Sequence, residues 1–339
     1  MNNIDWKNLP FGYCPTDYNV RCYYSNGQWG ELEAHTEETI PIHMAATSIQ
    51  YGQQAFEGIK AFRGKDGKVR VFRLDENAKR LQSSCRGVVM PELPQELFFK
   101  SIEKVIQLNK HFIPPYGTGA SLYIRPILIG LTPFVGVHYA SEYLYCVFVT
   151  PVGPYFKGGF NSTNKFLITP EYDRAAPLGT GEYKVGGNYA ASLRANKKAH
   201  ELGYDCEIYL DPKEKKYIDE CGGANFFGIK NNTYITPKSA SILPSITNKS
   251  LMQLAKDLGL SIECRKIPVE ELATFEEAGA CGTGAAISPI GQIDATHIGE
   301  TFSYGTKPGP ISTRLYNRLQ AIQYGEEEDI YNWNYIVEV

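Results

Sequence analysis

Two rhythms of apolar and polar positions divide the chain. In the first half, residues 59–62 and 69–72 are short apolar-rich runs on either side of Gly64-Lys65-Asp66-Gly67, which by turn chemistry reads as a hairpin. Asp75 is expected to cap a helix running through Arg86. Pro94 opens a second helix through Leu108, with Leu97, Ile102, Val105 and Ile106 on one side. The unbroken apolar runs 121–129 and 142–150 have the length of central strands.

Past Pro151 the pattern breaks into Gly, Pro and polar residues, as linkers do. The expected organisation is therefore a small N-terminal domain over 1–150, a linker over 151–164 and a larger domain over 165–339. In this second part strands and helices alternate. Residues 188–202 place Ala191, Ala195, Ala199 and Leu202 on one helical face and stop at Gly203. Residues 206–210 and 217–220 flank a charged turn, and 225–229 and 234–236 flank Asn231-Asn232; both pairs read as hairpins. Helices follow at 247–258, closed by Gly259, and at 310–323. The fold class is a mixture of α+β and α/β in two domains.

Composition narrows the function. The 339 residues carry 34 Lys and Arg against 37 Asp and Glu, so a net charge of −3 offers no basic footprint for nucleic acid or an anionic membrane. Eight cysteines form no CxxC pair and none lies near a histidine at zinc spacing, so neither a metal site nor a disulfide framework is expected. Residues 1–10 are polar, and the most apolar stretch, 143–152, is about half the length a spanning helix needs. A soluble protein of a reducing cytoplasm is expected. The 23 tyrosines exceed what an ordinary core uses, and each joins an apolar body to a polar tip. Most are expected in strands, with a minority lining a binding site.

Common catalytic signatures are missing: there is no GxxxxGK[ST], no GxGxxG and no GxSxG elbow. What remains is Gly179-Thr-Gly-Glu-Tyr-Lys184-Val-Gly-Gly-Asn-Tyr189, a lysine enclosed by four glycines just before a helix. Loop lysines are ordinarily solvated charges, but glycines on both sides allow a ligand to approach closely. A desolvated lysine can attack a carbonyl to form a Schiff base, and pyridoxal phosphate is the usual partner. That cofactor needs an acid at its ring nitrogen and a helix N-terminus or arginine at its phosphate. Glu220, before Cys-Gly-Gly-Ala-Asn225, and Ile246 and Thr247, after Leu243-Pro244-Ser245, are candidates.

The order Lys184-x-Gly-Gly-Asn-Tyr, Glu220-x-x-x-x-Asn225-Phe-Phe, Ile242-Leu-Pro-x-Ile-Thr and Gly282-Thr-Gly resembles the class IV aminotransferases, pyridoxal-phosphate enzymes of fold type IV. More narrowly it resembles the branched-chain amino acid aminotransferases, as do Phe11-Gly12, Tyr51-Gly-Gln-Gln-Ala-Phe56-Glu-Gly-Ile-Lys-Ala-Phe, Leu122-Tyr-Ile-Arg-Pro126 and Pro151-Val-Gly-Pro-Tyr155-Phe. The likeness runs through nearly the whole chain. It implies a two-domain, D-amino acid aminotransferase-like fold that acts as a homodimer or higher homo-oligomer on branched-chain amino acids and 2-oxoglutarate. Lys184 would carry the Schiff base and the proton transfer; Glu220 would pair with the ring nitrogen and Tyr189 with the phenolic oxygen. Arg80, Ile246, Thr247 and Thr283 would hold the phosphate. Phe11, Tyr51, Phe56, Tyr123 and Tyr155 would wall the substrate side chain, with Val135 and Val137 reaching in from a neighbouring subunit. Backbone at Gly223 and Gly284 would hold the α-carboxylate and Arg125 the second carboxylate of glutamate. The same likeness places the site between the two domains. D-amino acid aminotransferase, aminodeoxychorismate lyase and a silent ligand-binding relative are the competing readings. Two departures stand out: Ala285 and Ser288 replace a Cys-x-x-Cys of mammalian members, and Gly223 and Gly284 replace residues with side chains.

Overall fold

A computed structural model describes residues 4–156 and 158–339, so Lys157 of the expected linker and the first three residues lie outside it. The chain divides into two compact units. One joins Met1–Pro154 to Tyr183–Gly186 and Ala321–Val339; the other joins Tyr155–Glu182 to Gly187–Gln320.

The first unit is built on a nine-stranded sheet. Its path runs from Asn334–Val337 through Val69–Phe72, Ile59–Arg63, Ser121–Gly130, Tyr143–Val152 and Asn19–Ser25 to Gln28–Trp29, with Glu33–His35 and Gln54–Phe56 as side branches. The hairpin at 64–67 forms, with Ala61 opposite Val71 and Arg63 opposite Val69. The two long apolar runs pair over their full length, Ser121 opposite Val152 and Gly130 opposite Tyr143. The second of these strands continues through Pro151 and Val152, which were expected in the linker, because their backbone pairs with Leu122 and Ser121. Helices Leu74–Gly87 and Gln95–Leu108 bury Leu81, Cys85, Phe98, Ile102 and Val105 in the same core. Asp75 does not cap the first of them. Arg73 holds the cap position in a left-handed conformation, and Asp75 sits in the first turn, paired with Lys79 at 2.9 Å.

The second unit carries its own nine-stranded sheet, in the order Ile218–Cys221, Cys206–Leu210, Asn164–Ile168, Ala286–Ala295, Glu277–Gly282, Asn225–Lys230, Thr233–Pro237 and Ser261–Arg265, with Glu300–Ser303 on Ala286–Ala295. Both expected hairpins form, the second turning through Asn231 and Asn232 at positive φ. Helix Gly186–Glu201 starts earlier than expected and buries Asn188, Ala195 and Ala199, while Ala191 and Leu202 are exposed. Helix Ile246–Asp257 begins at Ser245, whose hydroxyl accepts from the Asn248 amide.

Division of the chain is not linear, and in this the structure differs from the expected 165–339 domain carrying Lys184. Residues 183–186 join the first unit because Val185 bridges Ala55 and the Lys184 carbonyl accepts from the Phe56 amide at 3.1 Å. Residues 321–339 join it because Asn334–Val337 completes that sheet beside Val69–Phe72. Tyr145, Tyr209 and Tyr234 lie in strands and are fully buried, their hydroxyls paired with Ser101, Glu207 and Asn248.

Candidate active site

In the first unit, the backbone of Lys184 is pinned on both sides, its amide donating to the Ser84 hydroxyl at 2.9 Å and its carbonyl accepting from Phe56. Its ammonium lies 4.8 Å from the centre of the Phe56 ring. The Arg125 guanidinium lies 4.8 Å from the same ring and 5.2 Å from that of Tyr123, to whose hydroxyl it donates at 2.8 Å. Phe11 packs edge-on against Tyr123 at 5.4 Å. Four residues named from the sequence, Phe11, Phe56, Tyr123 and Arg125, are thus brought to one place with Lys184. Arg125 Nε is buried and has no acceptor among the described residues. A guanidinium so placed is suited to an incoming carboxylate.

Arg80 has a partner that the sequence reading did not name. Its Nε and Nη2 grip the two oxygens of Glu57, each at 2.8 Å, and Asn77 donates to the same carboxylate at 2.7 Å. Glu57 is fully buried. Burial, the largest influence, works to raise its pKa, but the charges of Arg80 and Lys184 and the hydrogen bonds from Arg80 and Asn77 outweigh it and bring the carboxyl below its ordinary value. Lys60 was also passed over. It faces Tyr123 across the strand pair and lies 5.8 Å over the Phe11 ring, and burial brings its pKa down to about 8.

Tyr51 is tied to a different neighbour, donating to the Val135 carbonyl. Its loop is strongly exposed: Val135 is 88% and Val137 86% accessible, with Met44 beside the same segment at 84%.

In the second unit, Glu220 is the last residue but one of strand Ile218–Cys221, with its side chain buried, next to the two-residue turn at Gly222-Gly223 closed by Cys221 and Ala224. Its Oε2 accepts from the Leu243 amide at 3.2 Å and lies 2.7 Å from Nε of Arg174, although that N–H is not aimed along the contact. Nη2 of Arg174 donates to the carbonyls of Gly181 and Ser241. Asn225 fixes the Leu243 carbonyl at 3.0 Å, and Ser239 and Ser241 hydroxyls donate to the buried Asp219. Beyond Leu243 the chain enters helix Ile246–Asp257. The amides of Ile246 and Thr247 have no acceptor among the described residues, and they lie at the positive end of the helix dipole, where an anion is stabilised.

Tyr189 stands in the first turn of its helix, beside an Asn188 locked to Thr180 by two hydrogen bonds. Thr283 lies in the turn between strands Glu277–Gly282 and Ala286–Ala295. The two glycine departures separate physically. A Cβ on Gly223 would meet nothing within 4 Å, whereas one on Gly284 would press the Tyr155 ring at 3.0 Å. Gly284 is therefore the seat of Tyr155. Among the described residues no cluster of metal ligands occurs.

Residues 54–293 match the family pattern described as Amino-transferase class IV. The chain belongs to the class IV aminotransferases. Within them it is similar to the branched-chain-amino-acid aminotransferase of Helicobacter pylori, at 50% identity over 98% of both chains, and to that of Haemophilus influenzae, at 46% over 98% of both. Among solved structures, the Escherichia coli branched-chain amino acid aminotransferase matches with a TM-score of 0.79 at 27% identity, covering 94% of this chain and 98% of that one. The Thermoproteus uzoniensis branched-chain aminotransferase, solved with norvaline, matches at 0.78 and 25%, covering 94% and 100%. The two sheets and their helices are thus the class IV aminotransferase fold, and the family is one of pyridoxal-phosphate enzymes.

Proposed function

We propose that this class IV aminotransferase moves an amino group reversibly between L-leucine, L-isoleucine or L-valine and 2-oxoglutarate, giving the branched 2-oxo acid and L-glutamate. The observation that carries the substrate reading is the grouping of Phe11, Phe56 and Tyr123 with Arg125, whose buried Nε has no acceptor among the described residues. Aromatic faces accept a branched aliphatic chain through dispersion and desolvation. The arginine accepts the second carboxylate of the alternate substrate. One surface thereby serves both halves of the reaction.

The residues present suit pyridoxal phosphate. A lysine would suit its aldehyde, a buried carboxylate its ring nitrogen, and two helix amides with no acceptor among the described residues its phosphate. When bound, the cofactor supplies a carbonyl that captures amino groups and a ring that stores the electron pair released at the substrate Cα. Lys184 would hold that carbonyl, and its amine, when free, would serve as the base that moves the proton at the substrate Cα. Glu220 would hold the ring nitrogen, Tyr189 the phenolic oxygen, and Arg80, Thr283 and the Ile246 and Thr247 amides the phosphate. Tyr155, seated on Gly284, would contribute to the side-chain wall, and backbone at Gly223 and Gly284 would orient the α-carboxylate. The decisive experiment is a panel of L- and D-amino donors with 2-oxoglutarate. L-leucine, L-isoleucine and L-valine are expected to react; activity confined to D-alanine would overturn the reading.

We further infer a homodimer in which the exposed loop with Val135 and Val137, braced by Tyr51, meets a second copy. Sedimentation velocity is expected to give about twice the 37.9 kDa chain mass, and a V135D/V137D variant to sediment as monomer. A wild-type monomer at micromolar concentration would refute the inference. No described helix is long and apolar enough to cross a membrane, and the eight cysteines are free, which supports a cytoplasmic location.

A further inference from the structure

Arg174 lies outside every motif that carries the family resemblance, yet it is among the most buried charged groups of the second unit, 5% exposed against 3% for Glu220. Burying two charges is costly unless they are paired and their remaining donors are satisfied. Here the guanidinium is paired with a carboxylate and touches three separate segments. It reaches the Glu220 carboxylate, the Gly181 carbonyl in the glycine-rich loop and the Ser241 carbonyl in the approach to helix Ile246–Asp257. Those two loops are packed backbone on backbone, since a Cβ on Gly181 would fall 2.6 Å from the Ser241 Cα. Ser241 is held from the other side by Asp219. Oε2 of Glu220 carries both the guanidinium and the Leu243 amide, so the carboxylate cannot rotate without losing both.

We propose that Arg174 is the positioning residue that keeps Glu220 ionised and aimed at the ring nitrogen of the cofactor, while fixing the two loops beside it. This rests on the reading of Glu220 given above. The chemical reason for an arginine is geometric. A planar guanidinium serves a carboxylate and two carbonyls in different directions at once, whereas a lysine ammonium on a flexible stem does not hold that arrangement. A cation beside the carboxylate favours its charged form, so the proton between Glu220 and the ring nitrogen of bound pyridoxal phosphate would rest on the nitrogen.

The test compares the affinity of the apoprotein for pyridoxal phosphate with that for its 1-deaza analogue, in which a C–H replaces the ring nitrogen. Both compounds share the phosphate and aldehyde contacts, so their affinity ratio isolates the Glu220 interaction. The wild type is expected to favour pyridoxal phosphate by more than tenfold, and Glu220→Gln to lose most of that preference. Arg174→Lys keeps the charge needed for folding and is expected to lower the ratio at least fivefold; Arg174→Gln is expected to lower it to the Glu220→Gln level. If Arg174→Lys keeps the wild-type ratio within twofold, or weakens both compounds equally, the proposal is overturned. A wild type without any preference would instead refute the role of Glu220 itself.

Discussion

Replacing Lys184 with alanine is expected to reduce transamination of L-leucine by at least about 10³-fold, since the proposed function makes it both the group that binds the cofactor carbonyl and the base at Cα. Borohydride treatment, which should fix the cofactor to Lys184 in the wild type, is expected to leave the variant unmodified by intact-mass measurement. The variant should nonetheless fold. The contacts that place residue 184 are made by its backbone, with Ser84 and Phe56, and survive truncation. The side chain adds a cation–π contact with Phe56, of about 0.5–1 kcal/mol at a partly exposed position. A small change in Tm with a complete loss of turnover is the expected pair of results. Retained transamination of L-leucine would remove Lys184 from the mechanism.

Replacing Glu57 with alanine is expected to act chiefly on stability. Arg80 would lose the two Glu57 oxygens it grips and Asn77 one acceptor, inside a core where Glu57 is wholly buried. Breaking a buried pair from one side costs about 3–5 kcal/mol, because a charge is left uncompensated. At 2–4 °C per kcal/mol this is a fall in Tm of roughly 6–20 °C. The pH dependence has a definite sign. Glu57 has a lower pKa in the folded protein than in the unfolded chain, so its contribution is fully present above the unfolded value of about 4.3 and is lost as pH falls through the folded value. The difference in Tm between wild type and Glu57→Ala should therefore be constant near neutrality and shrink on acidification below about pH 4. A difference that grew in acid would contradict the assignment.

Strands were legible wherever one rhythm of apolar residues ran long enough, as in Ser121–Gly130 and Tyr143–Val152, and hairpins wherever the turn residues were specific, as at Asn231-Asn232. A candidate for chemistry was legible where a residue type was unusual for its setting, as with a lysine among glycines. Pairing was not. Glu57 lies inside a motif that carries the resemblance and Arg174 in an ordinary loop, and neither discloses its role in sequence because their partners are supplied by distant segments. Asp75 was taken as a cap because its residue type suits one. The chain placed Arg73 there in a conformation that residue type does not announce. Helix Gly186–Glu201 was read with too wide an apolar face, since small residues such as Ala191 tolerate water and mark burial weakly.

The interleaved division of the chain has a consequence for its synthesis. An edge strand of the first sheet is Asn334–Val337, and the segment bearing Lys184 is docked on the same unit, yet almost the whole second unit is translated before that strand emerges from the ribosome. Until then Val69–Phe72 presents open backbone groups along one side, a template for unwanted pairing. A fragment ending at Pro154 would lack both the closing strand and the lysine, so neither the sheet nor its chemistry can be expressed as a contiguous piece.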